Sequence, residues 1–182
     1  MQDLSLHILD IAENSVEARA KRLDIQIEEN YRLDRMTLEI ADDGAGMDKE
    51  LQARALDPFV TTKKTRRIGL GLSLLAQAAD AAGGSLTLRS RPGLGTKVRA
   101  TFQLSHIDLK PLGDIPQTLA TLIVAHPTLD IRYVHQVDEK TYIFDTQELR
   151  SQLGGISLAT PHVVAMIKKD IQDGIHQIRR TL

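Results

Sequence analysis

Residues 23–47, LDIQIEENYRLDRMTLEIADDGAGM, decide the fold. In LDIQIE, Leu23, Ile25 and Ile27 point one way while Asp24, Gln26 and Glu28 point the other. In MTLEIA, Met36, Leu38 and Ile40 alternate with Thr37 and Glu39. A period of two marks strands with one buried and one solvated face. The stretch from Glu29 to Arg35 between them suits a hairpin loop. Strands of a doubly wound parallel sheet would instead read as nearly continuous apolar runs.

The same alternation recurs downstream in SLTLRS (85–90) and TKVRATFQL (96–104), joined by the turn RPGLG. Four alternating strands predict an antiparallel or mixed sheet covered on one face by helices, a two-layer α+β sandwich. Helices to cover it flank the strands. In residues 4–21, at about 100° per residue, Leu4, Ile8, Leu9, Ala12 and Val16 share one side. His7, Asp10, Asn14, Glu17 and Lys21 gather in a polar stripe on the other, and Asp3 is placed to cap the start. GLSLLAQAADAAGG (71–84) is a second helix, ending at a glycine pair. A short amphipathic piece runs from Asp48 to Leu56, and DPFVTTKKTRRIGLG (57–71) reads as a long loop.

The chain changes character near Lys110, Pro111 and Gly113, which divides it into a domain over 1–108 and a small C-terminal α/β segment over 109–182. The segment reads as a helix from Asp114 to Ala125, strands IRYVHQV and TYIFDT around Asp138 and Glu139, a short helix from Gln147 and a last helix from Thr160 to Arg180. Ile131, Tyr133, Tyr142, Ile143 and Phe144 supply either a small core or a partner surface.

A 42% apolar and 26% charged composition over 182 residues suits a soluble globular chain with a real core. The net charge of −1 lacks the basic excess of a nucleic-acid binder, and 3% aromatics leave little for base stacking. Having no cysteine excludes disulfides and thiolate chemistry. No apolar run approaches the ~20 residues of a membrane span, and the start lacks a signal-peptide pattern. The expected setting is cytoplasmic.

Three constellations carry chemistry. Asp10 and Asn14, four apart, lie on one helical face about a turn from each other. An amide oxygen suits magnesium, and a carboxylate one turn earlier can orient or deprotonate a water. The same spacing also fits a solvated polar face. In DDGAGM, Asp42 ends a strand and is followed by Gly44 and Gly46, which let backbone approach a flat ligand. An acidic, glycine-rich turn would read the same way. Gly69, Leu70 and Gly71 open a helix, where backbone N–H groups and the positive dipole end favour phosphate. This is not a Walker loop, since no Gly-Lys-Ser/Thr ending is present.

Taken in order, ILDIAENSVEA, IADDGAGM, DPFVTTK, GLGLSLL and PGLGTKVRATF resemble the motifs of the GHKL superfamily over residues 4–104. That superfamily, with the Bergerat ATP-binding fold, includes histidine kinases, type II topoisomerases, mismatch-repair ATPases and heat-shock chaperones. The resemblance implies ATP and Mg2+ as ligands. It implies Asn14 as the magnesium ligand and Asp42 as acceptor of the adenine amino group. Gly44 and Gly46 would shape the adenine pocket, and Thr96 would support the adenine-side hydrogen bonds. Phe59, Thr61, Thr62 and Lys63 match the start of the ATP lid, and Gly69, Leu70 and Gly71 the phosphate-contacting entry of the second helix. SLHILDIAENS, the lid and SHIDLKPLGD also resemble a narrower group of small stand-alone bacterial ATP-binding proteins.

The chain departs from the family pattern in places. Asp10 stands where the hydrolysing families carry a glutamate base; Glu13 points off the stripe. Glu17 replaces a lysine common in histidine kinases, leaving phosphate neutralisation to Lys63, Lys64, Arg66 and Arg67. Arg67 and Ile68 replace small residues in a short lid. Sensor kinases carry a phosphoacceptor histidine on a separate helical hairpin; none is expected here, and His7 is misplaced for that role and expected instead to pack beside, or hydrogen-bond near, the metal site. The expectation is an ATPase or protein kinase of GHKL type, hydrolysing ATP slowly or transferring its γ-phosphate to an unidentified protein partner, with neither nucleic acid nor membrane as a target. The alternative is a nucleotide-gated binding module resembling anti-sigma factor serine kinases.

Overall fold

The structure is a computed structural model and describes residues 3–55 and 70–180. The elements run α1 (Leu4–Glu17), β1 (Arg22–Asn30), β2 (Arg35–Asp42), α2 (Lys49–Arg54), α3 (Leu70–Ala81), β3 (Ser85–Arg91), β4 (Gly95–Gln103), α4 (Ile115–Ala125), β5 (Asp130–Val137), β6 (Lys140–Asp145), α5 (Thr146–Gln152) and α6 (Pro161–Arg179).

The alternating strands form one six-stranded sheet in the order β3-β4-β2-β1-β5-β6. β1 and β5 pair in parallel, Ile25 opposite Tyr133, and every other pair is antiparallel. The sheet is therefore mixed, the α+β sandwich expected from the alternation. The expected division at 108–109 falls between β4 and α4, and strands from both sides of it share this sheet.

The period of two is read directly in the burial. Leu23, Ile25 and Ile27 of β1, Leu38 and Ile40 of β2, and Ile131 and Tyr133 of β5 are buried. α1, α3, α4 and α6 close over that face, α1 touching α3 and α4, and α4 touching α6. Each fully buried aliphatic side chain contributes roughly 1.5–3 kcal/mol relative to its exposed state. The opposite face is polar, and Lys97 bridges to Glu39 across β4 and β2 at 2.7 Å. Ile131, Tyr133 and Phe144 belong to the core, while Ile143 is exposed. Among the described residues no helix is long and apolar enough to cross a membrane.

α1 differs from its expected form in two ways. It stops at Glu17, because Arg19 adopts the left-handed region at φ 60°, so Lys21 is off the helix. Asp3 does cap it, accepting from the Leu6 N–H at 3.1 Å. His7, assigned above to the polar stripe, is buried at 2% exposure. The helix is covered by the sheet, by α3 and α4 and by residues 111–112, so its buried arc is wider than one apolar stripe. Burial holds the His7 imidazole below its ordinary pKa, and its Nδ1 finds no hydrogen-bond partner among the described residues.

Candidate functional site

β2 runs from the hairpin toward α1 and delivers Asp42 at its last position, opposite Thr96 on β4. Asp42 Oδ1 accepts the Gly44 N–H at 2.9 Å and the Thr96 N–H at 3.2 Å. Its Oδ2 accepts the Ser15 hydroxyl at 2.8 Å, from the buried side of α1. An ionised carboxylate offers about four acceptor positions, and these bonds fill three of them. The half-buried carboxylate is thus fixed in rotation with room for one more donor.

Around it the turn is locked. Ser90 Oγ lies 2.9 Å from Thr96 Oγ1 and accepts the Met47 N–H at 2.7 Å. Thr96 therefore meets Asp42 through its backbone and Ser90 through its hydroxyl. The neighbouring Asp43 turns the other way, accepting the Lys21 and Arg22 N–H groups at 2.7 and 2.9 Å. Burial works to raise its pKa, but those two backbone donors outweigh it and the carboxyl sits below its usual range.

The two turn glycines serve packing within the protein. A Cβ on Gly44 would lie 2.9 Å from the Ala18 Cβ. Gly46 has φ +67°, and a Cβ there would meet the Arg91 carbonyl oxygen at 2.0 Å.

α1 also carries the other candidates, Asn14, half-buried and immediately before Ser15, and Asp10, exposed and one turn before Asn14. α3 begins against them: a Cβ on Gly71 would lie 3.0 Å from the Asp10 Cβ. The amino end of α3, the Asp10–Asn14 face and the Asp42 turn therefore converge. Glu13 is elsewhere, its carboxylate oxygens 3.0 and 3.1 Å from His126 Nε2. Thr61, Thr62, Lys63 and Gly69, the side chain of Leu70, and Phe59, Lys64, Arg66, Arg67 and Ile68 lie outside the described residues.

Among the described residues no group of three His, Cys, Asp or Glu side chains can hold a metal by itself. The donors present suit magnesium in its common form, one or two protein oxygens completed by water and substrate phosphates. Asn14 is the amide oxygen available for that.

Ser15 and Ser90 were not among the sequence candidates. Ser15 had a signal: it sits on the apolar arc of α1, three residues after Ala12, and a buried hydroxyl requires a partner. Ser90 had none, since its role comes from β3–β4 pairing, Ser90 opposite Thr96.

Residues 2–106 match the family described as histidine kinase-, DNA gyrase B-, and HSP90-like ATPase. The sensor protein kinase FleS of Pseudomonas aeruginosa is 40% identical over 110 residues, covering 60% of this chain and 27% of that one. The signal transduction histidine-protein kinase AtoS of Escherichia coli is 36% identical over 108 residues, covering 59% and 17%. The chain thus spans under a third of these relatives' lengths. Among solved structures, the Aquifex aeolicus MutL ATPase domain complexed with ADP matches with a TM-score of 0.55 at 11% identity, covering 85% of this chain and 70% of that one. At that identity the likeness concerns the fold alone.

Proposed function

The chain belongs to the histidine kinase-, DNA gyrase B-, and HSP90-like ATPase family, and from that premise we propose that its first half binds ATP with magnesium and either hydrolyses it slowly or passes the γ-phosphate to a protein. The observation that carries this reading is Asp42, with three acceptor positions filled from Gly44, Thr96 and Ser15 and the fourth left for the adenine amino group. A rotationally fixed acceptor needs little reordering when the base arrives, which favours affinity.

The phosphates would then lie at the amino end of α3, between Gly71 and the Asp10–Asn14 face. Asn14 would hold magnesium, which neutralises charge on the phosphate oxygens. Thr61, Thr62, Lys63, Gly69 and Leu70 belong to this proposal as lid and phosphate contacts. In hydrolysis Asp10 takes a proton from water, the water oxygen bonds to the γ-phosphorus, and the bond to the β-bridging oxygen breaks to release ADP. Positioning and charge neutralisation dominate such transfers. Glu13, tied to His126, is not the base of this proposal. A cytoplasmic setting completes the reading.

A second reading, a nucleotide-gated binding module, is favoured by one observation. α1, which carries Asp10 and Asn14, packs on α4, and α4 packs on α6. Nucleotide-dependent movement of α1 therefore has a direct path to the C-terminal surface.

Calorimetric titration with Mg-ATP, using Asp42→Asn as control, followed by phosphate-release assays, tests the proposal. Binding lost in the variant supports the site. Wild-type protein that binds no nucleotide overturns it. Binding without release moves the weight to the second reading.

A further inference from the structure

A second cavity lies away from the nucleotide site, on the C-terminal half. It has a volume of about 460 Å³ and opens between the first turn of α4 and one face of α6. That size falls within the roughly 300–1,000 Å³ typical of small-molecule sites. Its apolar wall comes from Ile115 and Pro116 of α4 and Ile175 of α6. Its polar side chains are Lys168, Gln172 and Arg179, four to seven residues apart along α6, and Asp114 just before α4, with His135 beneath.

Two cations, Lys168 and Arg179, and two carboxylates, Asp114 and Glu29, stand at this cavity or its base, and of the cations only Arg179 has a carboxylate partner among the described residues. Glu29, 3% exposed, accepts the Arg179 guanidinium and lies 2.7 Å from His135 Nε2 on its Oε1, and accepts the Tyr31 hydroxyl at 3.0 Å on its Oε2. His135 Nδ1 lies 2.8 Å from the buried Tyr133 hydroxyl. Arg179 engages Glu29 through Nη2, which leaves further N–H donors on a guanidinium 40% exposed. The Asp114 carboxylate, also in the lining, caps α4, accepting the Gln117 N–H at 2.8 Å. Lys168 donates to the neutral Gln117 amide oxygen at 2.7 Å and has no carboxylate within ion-pair distance among the described residues. An ammonium without a counter-ion beside low-dielectric walls attracts an anion.

The cavity wall also holds α1. The Leu4 and Ser5 N–H groups donate to the Pro111 and Leu112 carbonyls, both at 2.9 Å. Gly113, which lines the cavity, packs so closely that a Cβ would lie 2.5 Å from the Asp3 Cγ. A ligand pressing on residues 112–116 therefore touches the strap from which α1 hangs.

We propose that this cavity binds a small amphipathic carboxylate, its head against Lys168 and Arg179 and its apolar body between Ile115, Pro116 and Ile175, and that occupancy tightens the strap onto the start of α1. Neither limb requires nucleotide binding, so the proposal stands or falls apart from the function proposed above.

Decanoate is the probe, titrated by calorimetry and by amide chemical shifts. Saturable binding is expected, with shifts at Ile115 and Ile175, weakened at least tenfold in Lys168→Glu and lost in Ile175→Trp. Hydrogen exchange of the Leu4 and Ser5 amides is expected to slow at least threefold on binding. No binding to the wild type overturns the proposal, as do shifts centred on Val124 and Val164 on the outer face of α4 and α6. Binding that both folded variants retain overturns it too. Should a variant not fold, the wild-type shifts alone decide the location. Unchanged exchange at Leu4 and Ser5 removes the link to α1.

Discussion

Ser15 and Asp42 are 27 residues apart in the chain, yet the Ser15 hydroxyl donates to Asp42 Oδ2 at 2.8 Å. The bond joins the helix proposed to hold metal to the strand end proposed to hold adenine, so each position depends on the other.

Removing the partner should show this. A hydrogen bond to a charged group contributes about 1.5–3 kcal/mol. Ser15→Ala is therefore expected to weaken ADP binding roughly tenfold by calorimetry, and Asp42→Asn to weaken it at least as much. Ser15→Ala with wild-type affinity would show that Asp42 is held well enough by Gly44 and Thr96.

Asp10→Asn separates chemistry from binding. Loss of a general base costs roughly 10²–10⁴-fold, so phosphate release should fall to that extent while calorimetric ADP affinity stays within about twofold. Unchanged release would remove Asp10 as the base.

Gly46→Ala tests the turn. Its φ of +67° and the Arg91 carbonyl 2.0 Å from a Cβ leave no room for a side chain. A destabilisation of about 2 kcal/mol is expected, lowering Tm by roughly 4–8 °C for a domain of this size. An unaltered melting curve would mean the turn relaxes freely.

Glu29 gives the fold a pH dependence. Burial acts to raise its pKa, but the bonds from His135 and Arg179 outweigh it and bring it down from 4.5 to about 2. A carboxyl depressed in the folded state stabilises fully above its unfolded value and loses that contribution as pH falls through the folded one. Urea midpoints should therefore fall between about pH 4.5 and pH 2. Glu29→Gln should start lower at pH 7 and lose less over that window; equal slopes would exclude Glu29 as the source.

Most of the fold was legible because its signals are local. The alternation in residues 23–28 and 36–41 gave both strands and their buried face, and Asp3 marked the start of α1. IRYVHQV was legible as a strand, but its place beside β1 was not, since alternation names a face and never a neighbour. Asp42 was readable from its motif, while Ser15 acquires its role only once α1 crosses the end of β2. The Glu29, His135 and Arg179 cluster joins residues 106 and 150 positions apart, and no period in the sequence brings them together. His7 was misplaced because periodicity assumes one covered side, and α1 is covered on more than one.

The parallel pairing of β5 with β1 has a consequence for anyone cutting the chain. The family match ends at residue 106, but the sheet it is built on continues to Asp145. A fragment stopped at 108 would strip β1 of a neighbour along eight residues, from Arg22 to Glu29, turning an interior strand into a raw edge. Such an edge is a template for another chain. The excised motif-bearing half is thus expected to elute as aggregates, while the full chain keeps that seam closed.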